Sequence, residues 1–109
     1  MTKKLLALLF LVSVTAVTLL AAAPLQKDAK ATYLDKCSVC HGEDGKGQTA
    51  KGKKLKVKDV SSAEVKKMTD AQWLEVVMKG KGEDMDGFEK ELGADMCKKI
   101  TAYMRSLVK

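Results

Sequence analysis

An all-α domain is what this sequence predicts, and three observations carry the prediction. Ser61 with Glu64 and Thr69 with Gln72 stand at capping-box spacing, which opens two helices. Met96, Ile100, Tyr103, Met104 and Leu107 recur at helical period near the end of the chain. No stretch alternates apolar and polar residues as a half-buried strand would, and the 109 residues contain no internal repeat and no second domain.

The chain opens with Lys3 and Lys4, an apolar run from Leu5 to Leu20, and Ala21-Ala22-Ala23, the three parts of an export signal over residues 1–23. Ala21 and Ala23 fit the cleavage pattern, whereas Pro24 directly after the cut disfavours it. Ser13, Thr15 and Thr18 within the run favour cleavage. The alternative is an uncleaved anchor, since the 19 residues Leu5 to Ala23 span about 28 Å as a helix against a hydrocarbon core of roughly 30 Å. Either way the domain is residues 24–109, exported to the periplasm or the extracytoplasmic face of the cell envelope.

Lys27 to Lys36 reads as a short helix, with Ala29 and Tyr33 four apart on one face. It leads into Cys37-Ser38-Val39-Cys40-His41, two thiols and an imidazole at the spacing that attaches a c-type haem. Each thiol can add across one vinyl group of the macrocycle, and His41 then faces the iron as proximal ligand. A dithiol redox pair is the weaker reading, because it gives no reason for the adjacent histidine and no βαβ pattern surrounds it. Half of a zinc site is weaker too: Cys97 is the only other thiol, and structural zinc takes two separated ligand pairs.

Gly42 to Gly52 carries four glycines among polar residues and reads as a loop over one side of the haem, followed by lysines 51, 53, 54, 56 and 58. The capping boxes then predict helices over 62–68 and 70–79, the second ended by Gly80 and lined by Trp73, Leu74, Val76 and Val77. Gly80 to Gly87 reads as irregular and carries Met85, and the last helix begins after Phe88. Its stripe is placed to cross the first helix at Ala29 and Tyr33.

The distal side of the iron can be narrowed by elimination. His41 is the only histidine, so a monomer offers methionine, lysine or water. Met1 lies in the leader, Met78, Met96 and Met104 in predicted helices, and Met68 at a helix junction. Met85 alone lies in a glycine-flanked loop, 44 residues after His41.

Taken in order, an aromatic before the first thiol, Cys-x-x-Cys-His-Gly, Gly-x-x-Leu at Gly52 to Leu55, a methionine loop and a final helix with a tyrosine resemble the small monohaem class I cytochromes c over nearly the whole mature chain. The resemblance implies a small cytochrome c-like, all-α domain wrapped around one covalently attached haem c, carrying single electrons and not acting as an enzyme. It implies that Leu55 packs on the haem, that Met85 is the second iron ligand with His41, and that Ala29, Tyr33, Ile100 and Tyr103 form the crossing of the terminal helices. Two positions depart from the family. Lys53 stands where a proline is usual, and its carbonyl is expected to accept from the His41 ring. Met85 is followed by Asp86-Gly87 where proline is common, which makes a looser and more polar loop.

Without residues 1–23 the chain keeps 86 residues, few for an apolar core to stabilise alone, so folding is expected to depend on the haem. Loss of Lys3 and Lys4 reduces the basic count from 20 to 18 against 14 acids, a mildly basic protein near +4. One arginine and five aromatics in the whole chain supply neither guanidinium forks nor stacking platforms for nucleic acid. Lys51 to Lys58 is either a solvated face or, if it borders an exposed haem edge, a docking surface for larger redox proteins with an acidic face. Trp73 is core or rim, with a haem propionate as its alternative partner. Cys97 packs in the apolar stripe, the alternative being a disulfide between two copies of an otherwise monomeric protein. The runner-up functions are a haem sensor or weak peroxidase, if the Met85–iron bond is labile, and a membrane-tethered subunit of an oxidoreductase.

Overall fold

The computed structural model describes residues 28–109, so the leader and the start of the predicted first helix lie outside the described residues. Six helical segments and one two-stranded hairpin follow in chain order: α1 (Ala29–Lys36), α2 (Ser38–His41), α3 (Ala50–Lys54), α4 (Ala63–Lys66), α5 (Asp70–Lys79), β1 (Gly80–Lys81), β2 (Met85–Asp86) and α6 (Glu89–Ser106).

Side-chain caps explain most of the boundaries. Asp28 accepts from the Ala31 amide at 2.7 Å and starts α1. At α5 the expected capping box forms in both directions: the Gln72 amide donates to Thr69 Oγ1 (3.2 Å) and the Thr69 amide to Gln72 Oε1 (2.9 Å). The predicted helix 70–79 is observed as Asp70–Lys79. At α4 the cap is Ser62, which accepts from the Val65 amide, and not Ser61. Ser61 is drawn away because its hydroxyl accepts from the Lys109 amide at 2.8 Å, a contact across 48 residues that local spacing cannot reveal.

The glycine-rich segment holds a helix where a loop was expected. Thr49 caps α3 by accepting from the Gly52 amide at 2.8 Å, and the Lys53 amide donates to the Thr49 carbonyl at 2.9 Å. A proline at 53 has no such donor, so lysine in its place lets this turn wind. Gly52 is needed for close approach, since a β-carbon there would lie 2.2 Å from the Cys40 carbonyl oxygen.

Gly80 to Gly87 is likewise not irregular. β1 and β2 pair antiparallel with Gly80 opposite Asp86 and Lys81 opposite Met85. Gly80 has φ +86°, and a β-carbon on it would stand 2.3 Å from the Met85 carbonyl oxygen.

α6 begins after Phe88 as expected but is broken at Gly93 (φ 79°, ψ 159°), which separates a first turn from the long rod that follows. The rod buries Cys97, Ile100, Thr101 and Met104, packs chiefly on α5 and also crosses α1. At that crossing the Tyr33 and Tyr103 rings lie 5.2 Å apart, tilted by 58°. Ala29 packs against the same cluster and Ile100 is buried within it.

Candidate functional site

The eight buried apolar residues among the described residues do not make a solid core. Six of them, Cys37, Val60, Trp73, Val77, Ile100 and Met104, line a cavity of about 560 Å³, and only Tyr33 and Cys97 stand away from it. A volume of that size is in the roughly 300–1,000 Å³ range of cofactor sites. The wall also takes Cys40, His41, Leu55 and Met85, so each residue that the sequence singled out for haem binding meets in one place. The hairpin returns Met85 to the cavity that the motif helix opens.

Local structure holds the motif. The His41 amide donates to the Cys37 carbonyl (3.0 Å), winding the thiols and imidazole into the single turn α2. The Thr49 hydroxyl hydrogen is shared between the carbonyls of Val39 (2.7 Å) and Cys40 (3.1 Å), tying the motif to the cap of α3. The buried Tyr33 hydroxyl donates to the Gly42 carbonyl at 2.6 Å and fixes the end of the turn against α1. Burial, more than the nearby Cys37, Tyr103 and Asp44, pushes the Tyr33 phenol above its usual range, so it stays a donor.

The electrostatics separate the competing readings of the motif. Burial, with smaller contributions from Cys40 and Cys97, pushes the Cys37 thiol up to about 11. Reactive dithiol pairs have the opposite shift, toward thiolate at neutral pH. No group of three or more His, Cys, Asp or Glu side chains among the described residues is placed to hold a metal ion, so zinc finds no second ligand pair.

Burial lowers the His41 pKa and keeps the imidazole neutral, the form that ligates iron. His41 Nδ1 is the one buried side-chain nitrogen or oxygen among the described residues with no hydrogen-bond partner. The expected bond to Lys53 is not made. The Lys53 carbonyl accepts instead from the Lys56 amide at 3.3 Å, in the turn that closes α3. A largely apolar cavity, two thiols on one turn, a neutral imidazole with an unspent nitrogen and a thioether are together a donor set that fits a covalently held haem.

Other singled-out residues are settled by their partners. Trp73 Nε1 donates to the Val65 carbonyl at 3.2 Å, with the Arg105 guanidinium 4.5 Å over its ring, so it is core and its N–H is taken. Cys97 is 0 % exposed, and a disulfide between copies through it would require α6 to lift off the core. Lys51, Lys56 and Lys58 reach the cavity wall, and Lys53 and Lys54 do not.

Val60 and Val65 also line the wall and were not picked out from the sequence, and Met68, set aside there at a helix junction, lines it too. The signal for Val60 was its isolation as an apolar residue in a charged stretch, which is weak without the fold.

Residues 24–104 match the family described as cytochrome c oxidase, cbb3-type, subunit III. The solved structure of the KustC0563 c-type cytochrome is similar to this chain at 30% identity and a TM-score of 0.69, covering 76% of this chain and 100% of that one. No curated protein matches the chain.

Proposed function

Since the chain belongs to the c-type cytochromes, within the family of cytochrome c oxidase, cbb3-type, subunit III, we propose that it is a single-electron carrier of the cell envelope with His41 and Met85 as its iron ligands. The family implies one covalently attached haem c, and its members are generally electron carriers and not enzymes. That haem supplies a one-electron couple.

The observation that carries the proposal is that Met85 and His41, 44 residues apart, line one cavity. Cys37 and Cys40 retain the macrocycle, which frees His41 to position and tune without having to hold it. Met85 presents a soft thioether that favours ferrous over ferric iron and raises the potential relative to nitrogen-only ligation. Val60, Trp73, Val77, Ile100 and Met104 exclude water from the wall. His41 and Met85 would both ligate the iron and leave it no open position for a substrate, so the haem would supply outer-sphere transfer. The partners are larger redox proteins whose acidic faces meet Lys51, Lys56 and Lys58 at the mouth.

The oxidised protein is expected to show the weak red methionine-to-iron charge-transfer band. Met85→Ala abolishes it, lowers the potential and opens the iron to cyanide or carbon monoxide. A band that survives in Met85→Ala but disappears in Met68→Ala would move the ligand to Met68, which also lines the cavity. A wild type without the band would favour the sensor or peroxidase reading.

One observation favours a second reading, a tethered oxidoreductase subunit: the matching family is described as an oxidase subunit. Native electrophoresis of detergent-solubilised membranes separates the two, since a subunit migrates with its complex and a free carrier does not.

A further inference from the structure

The cavity that takes a haem also has to meet its propionate carboxylates, and the wall offers few groups to do so. Trp73, its one indole, has its N–H committed to the Val65 carbonyl. Arg105, the only arginine, lies behind the wall and gives Nε to Asp70 (2.8 Å) and Nη2 to the Met68 carbonyl. Lysines remain. Of the five in the wall, Lys36 is paired with Glu91 at 2.5 Å and Lys58 with Glu64. Lys51, Lys56 and Lys81 make no ion pair among the described residues. Lys81 lies in the field of Glu64 and shares its hairpin with Asp84 and Asp86, which also line the wall.

Lys56 differs from all of these in its backbone. Its φ is +56°, the one positive φ outside glycine among the described residues, a conformation that residues with a β-carbon rarely adopt. Hydrogen bonds on both sides hold it there: Leu55 to the Lys51 carbonyl (3.0 Å), Lys56 to that of Lys53 (3.3 Å) and Val57 to that of Gly52 (2.9 Å). The result is that four consecutive residues, Leu55 to Lys58, all reach the cavity wall. The last two of these hydrogen bonds are the Schellman close of α3, whose left-handed position usually takes glycine, so a lysine held there is the exception.

We propose that Lys56 is the cation that receives a haem propionate, and that the left-handed turn at this residue serves to present it. The pairing would offset the negative charge of a carboxylate, and a propionate whose charge is offset stabilises the ferric state less. This rests on the haem reading above.

The test uses the holoprotein and the variants K56Q, K56G, K56R, K51Q and K81Q. Covalent haem is checked first on each by its absorption spectrum after denaturation. Midpoint potential and haem-methyl proton shifts are then followed against pH. K56Q and K56G are expected to move the propionate titration up by about one pH unit and to lower the potential at neutral pH. K56R is expected to keep both near wild type, and so are K51Q and K81Q. Because glycine relieves the backbone while removing the charge, equal behaviour of K56G and K56Q assigns the effect to the ammonium. A K56Q protein that titrates as wild type overturns the proposal, as does a shift carried by K51Q or K81Q. A wild-type chain without covalent haem overturns the haem reading itself.

Discussion

The crossing of α1 and α6 and the half of the molecule opposite it are built on different physical bases. At the crossing, Tyr33 and Cys97 are fully buried among protein atoms, and the two tyrosine rings touch. Opposite, α5, the hairpin and the 55–58 turn enclose the cavity, so the apolar residues that should stabilise each other are held apart by it. Elements that pack on protein carry their own stability, whereas elements that pack on a cofactor borrow it. A small domain can therefore keep its terminal helices while its functional half waits for the ligand.

The sharpest way to break this comparison is to remove both anchoring thiols. Cys37→Ala with Cys40→Ala is expected to give a chain without covalent haem and without a cooperative fold, read by circular dichroism during thermal unfolding. Native-like helicity in that variant would show that the crossing alone suffices and that the cavity half does not borrow.

Gly80→Ala strikes the cavity half only. It forces a β-carbon into a left-handed position facing the Met85 carbonyl, at a cost of about 1–3 kcal/mol. Imidazole should bind the ferric holoprotein several-fold more tightly as the hairpin loosens. Unchanged affinity would mean that the β1–β2 register does not hold Met85.

Tyr33→Phe sharpens the other side. It leaves the Gly42 carbonyl without its 2.6 Å donor, a loss of about 1–3 kcal/mol. Denaturant unfolding should show this while the charge-transfer band stays in place. If the band were lost instead, the crossing and the iron site would be one unit.

The smallest effect on stability is expected at the rim. Changing Lys51 and Lys58 together to Gln should alter unfolding by no more than about 0.5 kcal/mol, yet slow reduction by an acidic redox protein and flatten its dependence on ionic strength. A stopped-flow rate indifferent to salt in the wild type would make these lysines a solvated face.

What could be read in advance follows the same division. α5 was legible to its boundaries because Thr69 and Gln72 satisfy each other within one turn. That the motif and Met85 meet at one cavity was legible because their chemistry is specific and few residues could supply it. Ser62 as the true cap of α4 was hidden by a contact to Lys109 from the far end of the chain. α3 was hidden because Gly52, which weakens a helix locally, is retained for the approach of the Cys40 carbonyl. The missing His41–Lys53 bond belongs with these. Spacing states who the neighbours are in the chain, but not which way a carbonyl points once the turn around it has closed.

Burial of Cys37 also bears on the order in which the protein is made. At 9 % exposure Cys37 is buried in the core cluster and lines the cavity, so a second protein reaches it only while the chain around the cavity is open. On the proposed haem attachment, thioether formation therefore belongs to an open chain, and the cavity half closes around the finished bond. Biogenesis runs from chemistry to fold, and a chain that folds first has shut out the machinery that should complete it.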